Sequence, residues 1–322
     1  MIPQNSKKST KILIIISGLL FAVVVQTIYQ FIYTDSSRIP SAFMKELTSS
    51  DDKSVQFYSI RRFKKLKGIA LVIHGLNLKP EKMEPIITLF NQSGIDVLNL
   101  SLHGHGRNYV SRNHNNIDVQ RLESFRTVTY ELWSEEAYRA YQVVRKKADR
   151  EKAPVYLVGY SLGALIGCDL LVSRKDVYFD RMILFAPALN VTIKSYLLKA
   201  LAPFPNLVID SLSPKSYRSN DGTPMAAYKA LFEAIEHFEM NISEKLNVPT
   251  VIFIDEKDEM ISYPQLKDMI NQRNLDQWAI HLVRKDEDVD KGIASHLIID
   301  HTSAGRNMWK QIQVIVHSHV FP

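Results

Sequence analysis

"VYLVGYSLGAL", residues 155–165, changes character half-way along. Val155 to Val158 are residue types that suit a strand, whereas Leu162 onward, with Ala164 and Leu165, suits a helix. Between them Gly159-Tyr160-Ser161-Leu162-Gly163 fits the pattern of a serine held at the tip of a sharp strand-to-helix turn. The glycines belong there because so tight a turn brings backbone too close for side chains. Three fixed positions in five residues recur by chance, and a plain strand–helix turn would read the same alone. The strand before and the small-residue helix after give the motif the context it requires.

Working outward, strands and helices alternate. "IALVIHGL" (69–76) and "RMILFAPAL" (181–189) are continuous apolar runs, as central parallel strands buried on both faces require. "IDVLNLSL" (95–102), "VPTVIFID" (248–255) and "WAIHLVR" (278–284) extend the set, and "SVQFYSIRRFKKLKG" (54–68) supplies one or two opening strands. Helices are expected over 79–94, 131–150, 162–174, near 263–274 and from about Ser303. Another is expected over 223–238, with Thr223 as N-cap and Pro224 at the first helical position. Residues 104 to about 129 read as an irregular excursion, and about 190–222 as a small inserted lid. The class is α/β, a three-layer fold on a mostly parallel sheet.

A serine hydroxyl needs a base within hydrogen-bond reach. Of 10 histidines, His296 in "KGIASHLIID" falls between the last strand and the last helix, where a side chain reaches back over the sheet. His301 is the alternative. A carboxylate must orient that base, and "VIFIDEKDEMIS" offers Asp255, Glu256, Asp258 and Glu259 just after a strand. The chain order Ser, acid, His suits a site built at strand ends. His103 and His105 in "HGHG" read more simply as a turn than as a metal pair, since no carboxylate or cysteine set completes a site. The single cysteine, Cys168, reads as a small core residue and excludes an intrachain disulfide. "RKDEDVDK" (284–291) reads as a solvated charged loop.

The whole chain has 322 residues, 46% of them hydrophobic, enough for one large domain after an N-terminal segment is set aside. The net charge of +6 is dispersed, apart from clusters such as "RRFKKLK" (61–67), and no Gly-rich phosphate loop accompanies it. The sequence therefore does not point to nucleic acid. Residues 12–33, "ILIIISGLLFAVVVQTIYQFIY", are long enough to cross a hydrocarbon core of about 30 Å. Lys7, Lys8 and Lys11 precede them, so the expectation is a signal-anchor with residues 1–11 cytoplasmic and the domain at 54–322 on the far side, beyond a linker at 34–53. A cleaved signal peptide is the alternative.

From about residue 68 onward the chain resembles the α/β-hydrolase superfamily, in particular its monoacylglycerol lipase and serine-aminopeptidase-like group. The resemblance rests on "LVIHGL" (71–76), "LSLHGHGRN" (100–108), "GYSLGA" (159–164), "PTVIFIDEKDEMIS" (249–262) and "ASHLII" (294–299). It implies Ser161 as nucleophile, His296 as base and Asp258 as its partner. The backbone N–H groups of Leu76 and Leu162 would form the oxyanion hole, with His74, Gly75, Gly159 and Gly163 shaping the loop and elbow. Asp255 stands where that family has a glycine before the acid and remains an alternative, and Ser101 stands where the family's turn has aspartate. The implied activity is hydrolysis of an acyl-lipid ester, with amide or thioester hydrolysis and a non-catalytic binding protein as alternatives, and no cofactor is implied.

Overall fold

The computed structural model describes residues 53–59, 65–111, 116–192, 199, 201, 204, 206–211 and 213–322. The proposed membrane segment, the linker up to residue 52, residues 60–64 of the opening strands, 112–115 of the excursion and part of the insertion at 190–222 lie outside these residues. Among the described residues, seven strands form one sheet: β1 (Val55–Tyr58), β2 (Gly68–Ile73), β3 (Ile95–Leu100), β4 (Val155–Tyr160), β5 (Arg181–Phe185), β8 (Thr250–Ile254) and β9 (Trp278–Leu282). Their order is β1-β3-β2-β4-β5-β8-β9. All neighbours pair in parallel except β1 with β3. A second, antiparallel pair joins β6 (Val208–Asp210) to β7 (Gly222–Pro224) within the insertion.

The central strands β2 and β4 are apolar throughout because both faces are covered. Ile69, Leu71, Ile73, Leu157 and Leu184 point to one face, against α3 (Tyr130–Glu151), α4 (Leu162–Ser173), α5 (Met225–Asn241) and α6 (Tyr263–Gln272). Ala70, Val72, Val158, Ile183 and Phe253 point to the other, against α1 (Glu84–Gln92) and α8 (Arg306–Val320). Burying a Val, Leu, Ile or Phe side chain contributes about 1.5–3 kcal/mol, so this alternation is what holds the helices to the sheet. Cys168 lies in the α4 core, fully buried.

Local departures from the sequence reading have local causes. The excursion contains a helix, α2 (Ile117–Phe125), capped by the Asn116 side chain. Its apolar Ile117 and Val119 are exposed while Gln120 and Ser124 are buried beside Phe125, so its inward face is not a regular apolar stripe. Thr223 is not the N-cap of α5: it is paired with Ile209 in β7, and Pro224, in extended conformation, is the cap residue. The helix expected over 79–94 opens with a 3₁₀ turn at Pro80–Met83. The strand expected to run to residue 189 ends at Phe185, where Ala186 turns to a φ of 41°. The C-terminal helix is divided, a single turn α7 (His301–Ala304) being separated from α8 by Gly305 at φ 94°.

The strand order reverses at β2, with β3 on one side and β4 on the other. In an open parallel sheet such a reversal opens a crevice at the carboxyl ends of the strands. The loop after β2 and the turn after β4 both end there.

Candidate active site

Ser161 links β4 to α4 and takes φ 51°, ψ −114°, a conformation strained for a non-glycine residue. Its neighbours over-determine it. The Ser161 N–H donates to Phe185 O at 2.9 Å, and its carbonyl accepts from the N–H groups of Leu165 and Ala188 at 3.2 and 3.1 Å. A Cβ on Gly163 would lie 2.1 Å from the Ile73 carbonyl oxygen, so only glycine lets α4 start this close to β2. Gly159 faces the backbone of Ala164 in the same way. A Cβ on Gly75 would come within 3.2 Å of the Ser161 Cβ, which shows how tightly the loop after β2 lies on the serine.

Three distant segments meet at the hydroxyl. His296 Nε2 is 2.9 Å from Ser161 Oγ, and His296 Nδ1 is 2.8 and 3.1 Å from the two carboxylate oxygens of Asp258. A carboxylate can only accept, so Nδ1 carries the proton and Nε2 presents its lone pair to the hydroxyl. Asp258 Oδ1 also accepts the N–H groups of Met260 and Ile261 at 2.8 and 2.9 Å. The alternatives lie elsewhere. Asp255 Oδ1 accepts the Lys257 N–H at 2.8 Å, and burial holds its carboxyl above the usual range. His301 is exposed at the start of α7.

Further residues hold the histidine loop, although sequence reasoning offers Glu259 only as a candidate acid and places Lys285 and Asp286 in a solvated loop. The Glu259 carboxylate accepts the N–H of Ser295 at 2.8 Å and of His296 at 3.1 Å. Tyr160 OH donates to the His296 carbonyl at 3.3 Å, with the two rings 5.3 Å apart. Lys285 Nζ donates to the carbonyls of Ala294 and Leu297 at 2.6 and 2.9 Å, and Asp286 accepts the N–H groups of Asn307 and Met308 at the start of α8. The segment expected to be a solvated charged loop is thus partly structural. The charges are visible in the sequence; their partners are not.

Buried histidines shape the loop after β2. His74 Nε2 accepts the Leu102 N–H at 3.0 Å and its Nδ1–H donates to Gly75 O at 2.8 Å. His105 Nε2 accepts the Asn77 N–H at 2.9 Å, and the two rings are 4.6 Å apart. Ser101 Oγ donates to His105 O at 2.9 Å, so serine still closes this turn in aspartate's place. Burial lowers His74 and His103 to about 4 and His105 well below its ordinary value. In the unfolded chain these rings take up protons near 6.5. Between about pH 6.5 and 4 the unfolded state therefore binds more protons, and stability falls as pH falls. For His74 and His103 the loss approaches a few kcal/mol each, a tenfold drop in proton affinity being worth about 1.4 kcal/mol. Urea midpoints measured from pH 7.5 to 4.5 should decline steadily below 6.5; a flat profile would contradict neutral buried rings.

A protein-family model described as "Serine aminopeptidase, S33" matches residues 64–317. The chain belongs to this S33 family. It is accordingly a serine hydrolase with the α/β-hydrolase fold. A search of curated proteins returns no significant match. Among solved structures, a soluble variant of the Saccharomyces cerevisiae monoglyceride lipase in complex with a substrate analogue is similar to the S33 chain, with 11% identity, 83% of this chain and 89% of that one covered, and a TM-score of 0.66. The monoacylglycerol lipase of Paleococcus ferrophilus shares 17% identity over 82% and 98% of the two chains, with a TM-score of 0.56. A thermostable carboxyl esterase from Bacillus coagulans, in complex with glycerol, shares 13% over 84% and 95%, with a TM-score of 0.58. At these identities the likeness speaks for the fold of the S33 chain.

Proposed function

We propose that the chain hydrolyses carboxylic esters of acyl lipids, such as monoacylglycerols or lysophospholipids, through an acyl-enzyme on Ser161. The observation that carries this reading is the relay from Ser161 Oγ to His296 Nε2 at 2.9 Å and from His296 Nδ1 to Asp258 at 2.8 Å. Ser161 Oγ bonds to the acyl carbon while its proton passes to His296 Nε2, leaving an imidazolium that Asp258 stabilises. The carbonyl oxygen becomes an oxyanion held by the backbone N–H groups of Leu76 and Leu162. Leu162 is the first residue of α4, so its N–H has no partner within the helix, and the positive end of the helix dipole faces the new charge. Collapse breaks the bond to the leaving alkoxide, which takes the proton back from His296. Water then repeats the sequence on the acyl-enzyme, releasing the fatty acid and restoring Ser161.

Apolar residues at 196–209, "YLLKALAPFPNLVI", suit an acyl chain, and the lipases and esterases among the structural neighbours favour esters. The family description favours a second reading, cleavage of an aminoacyl amide by the same groups. We also infer that residues 12–33 anchor the chain, with the catalytic domain on the extracytoplasmic side; their length and the preceding lysines support this. Membranes carrying the full chain test both points. They are expected to retain it through alkaline carbonate extraction and to hydrolyse monoacylglycerol at least about tenfold faster, by kcat/KM, than an aminoacyl p-nitroanilide, a margin of about 1.4 kcal/mol. Release of a shortened protein would contradict the anchor, and preference for the anilide would contradict the ester reading.

A further inference from the structure

The loop after β2 is tied to the far end of the insertion by a pair of buried asparagines. Asn77 has φ 54°, in the left-handed region, which asparagine tolerates better than most side chains. It occupies the third position of a turn closed by the Leu78 N–H donating to Gly75 O at 3.1 Å. Leu76 occupies the second position, and the closing bond does not use its N–H. The Asn77 side chain behaves as an extra peptide group. Its Nδ2 donates to Asn220 O at 3.0 Å, and its Oδ1 accepts the Asn220 N–H at 2.8 Å. Its own carbonyl accepts the Ser219 N–H at 2.8 Å, and its N–H goes to His105. Asn220 Nδ2 in turn donates to Gly104 O at 3.0 Å. Asn77 and Asn220 are 5% and 4% exposed, so water does not compete for these bonds.

We propose that Asn77 is a positioning residue for ester hydrolysis: its side-chain amide fixes the turn that presents the Leu76 N–H, and links that turn to the C-terminal end of the 190–222 insertion. The inference rests on the oxyanion role proposed above for Leu76. The chemistry asks for asparagine in particular. Glycine would accept the backbone angle but lose both amide bonds. Aspartate would keep the acceptor, yet turn a second carboxylate oxygen, with its buried charge, toward the Asn220 carbonyl. Displacing an oxyanion donor weakens the transition state more than the bound substrate, because the full negative charge exists only there.

The test compares the full chain with its Asn77→Gly, Asn77→Asp and Asn220→Ala variants on a short p-nitrophenyl ester. Active sites are counted by fluorophosphonate titration, so that misfolded protein drops out of kcat. Removing a donor outright costs about 10²–10³-fold; a loosened donor should lower kcat per titrated site about 10–100-fold in both Asn77 variants. KM should stay within about threefold, since ground-state binding is left intact. Inhibition by a trifluoromethyl ketone, whose adduct with Ser161 carries an oxyanion, should weaken by the same factor as kcat. Asn220→Ala keeps the two bonds from the Asn77 amide to the backbone of residue 220 and removes the side-chain links to Gly104 and Arg121 and the longer one, 3.4 Å, to Asn77 Oδ1. It should show a smaller loss of the same kind, and it decides the matter if Asn77→Gly does not fold. Unchanged kcat per site in the folded variants would overturn the proposal. Failure of the underlying reading has a different signature, a wild-type chain that the fluorophosphonate does not label.

Discussion

Asp258→Asn is expected to lower kcat on an acyl ester by about 10³–10⁴-fold, whereas Asp255→Asn should stay within about threefold. The reason lies in how the carboxylate is held. Its Oδ1 already accepts two backbone N–H groups, from Met260 and Ile261. In the variant the amide oxygen must occupy that position, which places the NH₂ group where Oδ2 now lies, 2.8 Å from His296 Nδ1. A donor facing Nδ1 forces the imidazole into its other tautomer, with the proton on Nε2. That nitrogen then cannot accept the Ser161 proton. Asp255 has no such leverage, because its Oδ1 is spent on the Lys257 N–H at the near end of the same turn. Steady-state kinetics of the two folded variants check this, and a greater loss at position 255 would reverse the assignment.

These two acids are hard to separate in the sequence for a physical reason. They bracket one turn, closed by the Asp258 N–H donating to Asp255 O at 3.0 Å, and only the direction of that turn decides which carboxylate faces the histidine. Composition carries no such direction. The parallel sheet is legible, because strands covered on both faces are largely apolar, β2 and β4 at every position. The elbow is legible because a close backbone approach leaves glycine as its mark. Helix α2 is not, since its exposed Ile117 and Val119 hide the periodicity that marks a helix packed on a core. The supports of the site are equally hidden. Glu259 and Ser295 are 36 positions apart, and Asn77 and Asn220 are 143 apart. Hydrogen bonds of that kind are set by where loops end once the sheet has formed, and no local pattern announces them.

Ser161→Ala carries the largest expected loss, about 10⁴–10⁶-fold in kcat, since no other group can form the acyl-enzyme and the remaining parts of the site act through that hydroxyl. The variant is expected to fold like the wild type, alanine keeping the same Cβ at this turn and making no new contact. Loss of activity with folding intact would thus report on chemistry alone.

The most direct measurement is mass spectrometry of the full chain after reaction with a fluorophosphonate, followed by peptide mapping. A single phosphonyl adduct on Ser161, formed slowly or not at all in His296→Ala and absent in Ser161→Ala, is the predicted result. An adduct on another residue, or an unmodified Ser161 under conditions that label other serine hydrolases, would contradict the account.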